Sequence, residues 1–186
     1  MKKRIIIGLF SCLMFIQIAT PISMIVKREV VLKNGKQFKF KTEPIDPVDA
    51  FRGRYVALKM ESNSVPKPKD NIFGPNQKVY AYITLDKQGF ASFSKLTTER
   101  PKSGDYLKTT TSYGYYDTTK VFLNLPFDRY YMEEKAAPIA EIAYEKHNLQ
   151  GNNDAYVTVR IKSGFAVLEE LYIGGKPILE FIQQSQ

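Results

Sequence analysis

One cysteine, one histidine and no tryptophan occur among the 186 residues of this sequence. A single Cys excludes an internal disulfide and any zinc site built on several thiolates, and a single His removes nearly every His-rich metal site. No repeat, phosphate-binding glycine motif or clustered acidic loop is evident, so no cofactor is expected. Basic residues are in excess but dispersed. Three of the 27 Lys and Arg precede the first apolar run, leaving 24 against 19 acids. Nucleic-acid recognition would need a basic stripe with interleaved stacking aromatics, and no nucleic-acid partner is expected.

What the chain does have is apolar and aromatic. A hydrophobic content of 44% with 25% charged residues is that of a folded domain. Twelve Tyr and twelve Phe, among many Val, Ile and Thr, favour strands. This length suits one domain with one appendage, and that domain needs no staple to fold.

The appendage is at the N-terminus. Lys2, Lys3 and Arg4 precede an uncharged run from Ile5 to Val26, which Lys27 and Arg28 close. At about 1.5 Å per residue the run makes roughly 33 Å of helix, against a hydrocarbon core of about 30 Å. Residues 5–26 therefore read as a single membrane-spanning signal anchor in contact with the lipid bilayer. Two alternatives stand beside it. Signal cleavage would want a small-x-small site, which Ala19-Thr20-Pro21 and Pro21-Ile22-Ser23 supply poorly. Lipoprotein processing before Cys12 has Leu9 and Ser11 suitably placed, but also bulky Phe10 and a very short apolar core. The short N-terminal flank is the more basic, which places it inside and residues 29–186 beyond the cytoplasmic (inner) membrane, on the periplasmic or extracellular side. The division expected is an anchor over 1–28 and an extracytoplasmic β-rich domain over 29–186.

Within that domain, Glu29–Leu32 and Gln37–Lys41 flank Asn34-Gly35, a hairpin signal. Strands are predicted at Tyr55–Met60, Asp105–Thr111, Lys120–Leu125 and Ile178–Ile182. Further hairpins are predicted for Val79–Leu85 with Phe90–Leu96, and for Ala155–Lys162 with Phe165–Tyr172 around Ser163-Gly164. Ser62–Pro75 reads as a loop. One short helix is expected between Glu133 and Lys146, with Pro138 in its first turn and Ile139, Ile142 and Ala143 on its apolar face. The fold class is mainly β (α+β): a strongly curved antiparallel sheet or small barrel with one short helix, behind a single transmembrane helix.

The segment Pro44-Ile45-Asp46-Pro47-Val48-Asp49-Ala50-Phe51-Arg52-Gly53-Arg54-Tyr55-Val56-Ala57-Leu58-Lys59-Met60 resembles the signature of the GDYxxLxY family of bacterial membrane-anchored proteins. Gly53, Tyr55 and Leu58 match, while Arg54 stands where the family has Asp and Met60 where it has the last Tyr. Tyr131-Met132-Glu133-Glu134-Lys135 and Gly164-Phe165-Ala166-Val167-Leu168 with Gly174-Gly175-Lys176 extend the similarity over nearly the whole chain. The resemblance implies a membrane anchor, no established reaction, and a multi-span membrane protein as partner. The Arg54 departure removes a carboxylate from the signature.

Physically, the two prolines stiffen the approach, Asp46 and Asp49 can cap their turn, and Arg52 can pair with one of them or with Glu134. One reading is a turn-and-strand scaffold with Tyr55 and Leu58 in the core. The other is a binding surface through Arg52, Arg54 and Tyr55. Asp46, Asp49, Arg52, Gly53, Arg54, Tyr55, Leu58, Tyr131 and Glu134 are the candidate functional residues.

Catalytic constellations are weak. A triad would have to use His147, which reads as a solvated cation at a helix end. Acid pairs can come from Asp46 with Asp49, or from Glu133 and Glu134 with Glu141, with no sign of a shared cleft. Ser62, Ser64 and Ser103 lie near lysines without a nucleophile motif. Asn148–Asp154 only faintly resembles a calcium loop. Tyr113-Gly114-Tyr115-Tyr116 with Tyr130 and Tyr131 can build a sugar or peptide surface, or pack a sheet face. A non-catalytic accessory or interaction module for an envelope membrane protein is the favoured reading. The alternatives are a membrane-tethered envelope hydrolase acting on peptide or glycan, and a secreted binding protein released by signal cleavage.

Overall fold

Thirty-odd residues of helix lead directly into the sheet. The structure, a computed structural model, describes residues 2–43, 55–67, 73–112, 119–149 and 154–184. Helix α1 (Lys2–Asn34) is continuous through Pro21 and long and apolar enough to cross a membrane, with its large apolar side chains from Ile5 to Val26 exposed. Its hydroxyls are satisfied internally: Thr20 Oγ1 donates to Ile16 O at 2.8 Å and Ser23 Oγ to Thr20 O at 2.7 Å.

The expected strand at Glu29–Leu32 is instead the last turns of α1, and Asn34-Gly35 ends a helix rather than turning a hairpin. The Gly35 N–H donates to Val31 O at 2.7 Å. Glu29 and Lys33 form an i,i+4 ion pair at 3.3 Å, and Val31, only 3% exposed, is buried where α1 meets the barrel. Burial of Val31 together with continuation of the helix through its last turns outweighs the strand preference of Val30-Val31.

The chain then forms β1 (Lys36–Glu43), β2 (Tyr55–Ala57), β3 (Lys59–Met60), β4 (Ser64–Pro66), β5 (Lys78–Leu85), β6 (Ala91–Thr97), β7 (Tyr106–Thr111), β8 (Lys120–Asn124) and β9 (Arg129–Tyr131). Helix α2 (Ala137–Leu149), β10 (Tyr156–Lys162), β11 (Phe165–Ile173), β12 (Lys176–Pro177) and α3 (Ile178–Gln184) follow. One sheet runs β12-β11-β10-β1-β3 and another β4-β8-β7-β5-β6, with β2-β9 as a two-stranded ribbon. All strand pairs are antiparallel, and single bridges Lys39↔Phe90 and Leu107↔Gly164 join the two large sheets. The result is a nearly closed antiparallel barrel, the small-barrel form of the expected fold.

Tyr55–Met60 is not one strand. It switches partner at Leu58, so that β2 pairs with β9 and β3 with β1, while β4 in the expected loop pairs with β8. Residues 55–66 thus stitch all three sheets together. Val56, Leu58, Met60 and Val65 point into the core from this run. The core centres on Phe40, fully buried, with its ring 5.6 Å from Phe93 and 5.1 Å from Phe127. Rings of this kind supply most of the apolar area that closes a barrel.

Two helical readings also change. Ile178–Ile182 is helix α3, because its buried residues Ile178 and Ile182 are spaced i,i+4 and Pro177 sits just ahead of the first turn. In α2 the buried side carries Ala137, Ala140 and Tyr144, whereas Ile139 and Ile142 are exposed. Small alanines allow α2 to approach β2 closely, and the Tyr144 hydroxyl donates to Glu43 O at 3.1 Å, fixing the helix at that face. The described residues therefore contain three helices rather than an anchor and one helix.

A Cβ added to Gly35 would overlap Val31 O and lie 3.2 Å from Arg160 Cβ and from Ile161 N. Gly35→Ala is expected to destabilise the fold by about 2 kcal/mol, whereas Gly8→Ala, with open space around it, is expected to be neutral or slightly stabilising. Equilibrium unfolding of both full-length variants in detergent checks this, and equal stability would refute the tight joint.

Candidate functional site

The signature strand meets the segment before α2. Tyr55 pairs with Tyr131, Val56 with Tyr130 and Ala57 with Arg129, and Leu58 N–H donates to Asp128 O at 2.9 Å. The Tyr55 and Tyr131 rings lie 5.5 Å apart, and the Arg129 guanidinium sits 5.1 Å over Tyr55. The Tyr131 hydroxyl, and after it Asp128, raise Arg129 above its ordinary value. Pleating divides the run: Val56 and Leu58 enter the core, while Tyr55 is half-buried on the outer face and Tyr131 is 63% exposed. Glu134 is exposed just ahead of α2, and the carbonyl of its neighbour Glu133 accepts N–H bonds from Ala136 and Ala137, both at 3.0 Å. Asp46, Asp49, Arg52, Gly53 and Arg54 lie outside the described residues, as do Tyr113–Tyr116.

The remaining sequence candidates are structural in their contacts. His147 is not solvated at the helix end. Its side chain is only 13% exposed, is hydrogen-bonded through Nε2 to Asp154, and meets the edge of Phe181 at 5.6 Å. It ties α2 to the start of β10 and to α3. Ser64 is a ladder residue opposite Phe122. Gly174 and Gly175, both at positive φ, make the turn into β12. Tyr130 donates to Glu170 Oε1 at 2.6 Å, and its burial, reinforced by that carboxylate, pushes the phenol above its ordinary value. Cys12 is exposed on α1. Among the described residues no group of His, Cys, Asp and Glu is placed to hold a metal ion.

A second constellation, which sequence reading missed, lies where α1 joins the barrel. There a cleft of about 640 Å³ is walled by α1, by the β10–β11 hairpin and by the opposite sheet. Among the described residues its cations are Lys27, Arg100, Lys108 and Lys162, drawn from positions far apart in the chain, and no acid lines it. Ser163 and Gly164, at φ 51° and 80°, form a two-residue turn of the kind Gly permits. The Gly164 carbonyl accepts Lys108 N–H at 2.9 Å, and a Cβ on Gly164 would stand 2.7 Å from the Tyr106 ring. Close packing of that hairpin tip on β7 brings Lys108 and Lys162 to one cleft. Arg100 Nε donates to the Tyr106 hydroxyl at 3.2 Å, and Lys27 Nζ sits 4.3 Å over Phe165.

A polar clamp fixes the joint at Gly35. Arg160 Nε donates to both Glu169 oxygens at 3.1 Å, Gln37 Nε2 donates to Glu169 Oε2 at 2.6 Å, and Arg160 Nη1 reaches Gly35 O at 3.3 Å. Glu169 is the extra residue of a bulge in β11, facing neither Thr158 nor Val159 in the ladder. Burial alone would raise its carboxyl, but the hydrogen bonds from Arg160 and Gln37 win and hold it below its ordinary value of 4.5. A carboxylate depressed in the folded state adds stability above its unfolded value, and that stability is lost as pH falls through the folded value. Wild type is therefore expected to lose stability below about pH 4.5 more steeply than Glu169→Gln. Urea unfolding across that range measures the difference, and superimposable acid limbs would refute the clamp.

No curated protein and no solved structure matches the chain. The family model described as GDYXXLXY protein matches residues 17–171, which take in the second half of α1, the β2–β9 ribbon, the cleft and the clamp. Because that match extends over most of the sequence, the protein belongs to the GDYXXLXY family.

Proposed function

We propose that the protein is a non-catalytic accessory module that α1 holds in the cytoplasmic membrane, with its barrel presented on the extracytoplasmic side to a multi-span membrane partner. The observation that carries this reading is the joint. The exposed apolar helix passes without a break into final turns packed on the barrel, and Arg160 of β10 donates to the carbonyl of Gly35, the residue just past the helix. A tether needed only for localisation is served by a flexible linker. A rigid joint fixes height and orientation above a bilayer, which matters when a surface must meet a membrane-embedded partner. Lys2, Lys3 and Arg4 on the short flank support an inside N-terminus. The exposed side chains Tyr131, Ile139 and Ile142 fall in one stretch beside the signature ribbon and offer the contact surface.

Alkaline carbonate extraction and site-specific photo-crosslinking in cells test this reading. The expected result is full-length protein retained in the membrane and one defined adduct with a membrane protein from Tyr131 or Ile142. The exposed Leu85 on β5 is the control position and should give no adduct. A soluble chain lacking its N-terminal segment, or equal adducts from all positions, would overturn the proposal.

A further inference from the structure

The cleft at the joint has a chemistry that the accessory role does not use. Four cations line it, and among the described residues none of the four lies within ion-pairing distance of a carboxylate. Arg100 spends only Nε on Tyr106. Apolar Val30, Val31, Phe165 and Ala166 line the cleft beside the charges. All four are solvent-exposed, so water screens much of their mutual repulsion, yet four like charges around one concavity still raise the local positive potential and attract an anion.

Position then narrows the anion. Lys27, the first cation of the cleft, directly follows Val26, the last residue of the apolar run. Val30 in the cleft wall continues along α1 at i−4 spacing to Val26 and Ile22, which are 54% and 53% exposed. An apolar row therefore leads out of a cationic cleft and along the helix. A soluble phosphate would use only the charged half. A ligand with a phosphodiester head and an acyl tail would use both.

We infer that this cleft is a binding site for an anionic phospholipid. Its phosphate is held among Lys27, Arg100, Lys108 and Lys162, and one acyl chain lies along Val30, Val26 and Ile22. The inference rests on the reading of α1 as a membrane span. Such a lipid would lock the barrel against the bilayer at the joint, complementing the Arg160–Glu169 clamp on the protein side.

The test uses full-length protein in nanodiscs of mixed phosphatidylglycerol and phosphatidylcholine, with retained lipids counted by native mass spectrometry. Wild type should retain phosphatidylglycerol in clear preference. Arg100→Gln, Lys108→Gln and Lys162→Gln should each lower that preference about fivefold and together abolish it. A control triple variant, Lys87→Gln with Lys95→Gln and Lys120→Gln, removes as much charge from exposed positions outside the cleft and should keep the preference. Absence of preference in wild type, or equal loss in both triple variants, would overturn the site. So would displacement of the lipid by millimolar glycerol phosphate, which would mark a soluble-anion site, or by a soluble acidic peptide. Carbonate extraction of the same variants separates the two proposals. Protein washed from membranes sinks the span on which the site depends, whereas protein that stays without lipid preference sinks the site alone.

Discussion

The hydrogen bond from Gly35 N–H to Val31 O, 2.7 Å long, is the constraint on which the arrangement of this molecule turns. It ends α1 with no linker and starts β1 one residue later, so the helix axis and the first strand are set relative to one another. A side chain at position 35 would drive the helix end away from β10. Everything that meets at the joint depends on that close approach: the burial of Val31, the reach of Arg160 to Gly35 O, and the nearness of Lys27 to Phe165. A glycine here serves proximity rather than an unusual φ.

Barrel closure is the second dependency. Residues 55–66 change partners twice within a dozen positions, which a regular strand cannot do, and the break at Leu58 is what permits it. The signature of the family therefore coincides with the run that joins the sheets. Its apolar positions Val56 and Leu58 hold the closure from inside, while the Tyr55 ring packs at a tilt against Tyr131 outside. One short segment thus has a packing duty on one face and a surface on the other. The α2 helix, seated by two alanines and by Tyr144 against β2, holds the ribbon in place.

Much of the fold was legible. The hairpins β5–β6 and β10–β11, the strands β7 and β8, and a helix starting near Pro138 followed from alternation, turn residues and proline placement. Where reading failed, a local signal had two meanings. Asn34-Gly35 suits a hairpin turn as well as a helix end, and only the burial of Val31 decides between them. Ile178 and Ile182 carried the i,i+4 spacing of α3, but the run was too short to exclude a strand. In α2, Ile139 and Ile142 drew attention as the apolar face, yet close packing on β2 selects the small side of the helix. His147 sits at a helix end as expected, and its burial comes from Phe181, far along the chain.

By itself the sequence determined the apolar helix, the mainly β character and the family, because these rest on composition, on local periodicity and on residues contiguous in the chain. Only the tertiary structure decided that the helix runs without a linker into a nearly closed barrel and packs on it. It also decided that Tyr55 faces Tyr131, and that Lys27, Arg100, Lys108 and Lys162 share one cleft. Those four cations come from α1, a loop, β7 and a hairpin end, and no spacing in the chain announces them. Their convergence follows from the Ser163-Gly164 turn packing against Tyr106 and from α1 ending at Gly35, contacts between distant residues that exist only once the barrel has closed.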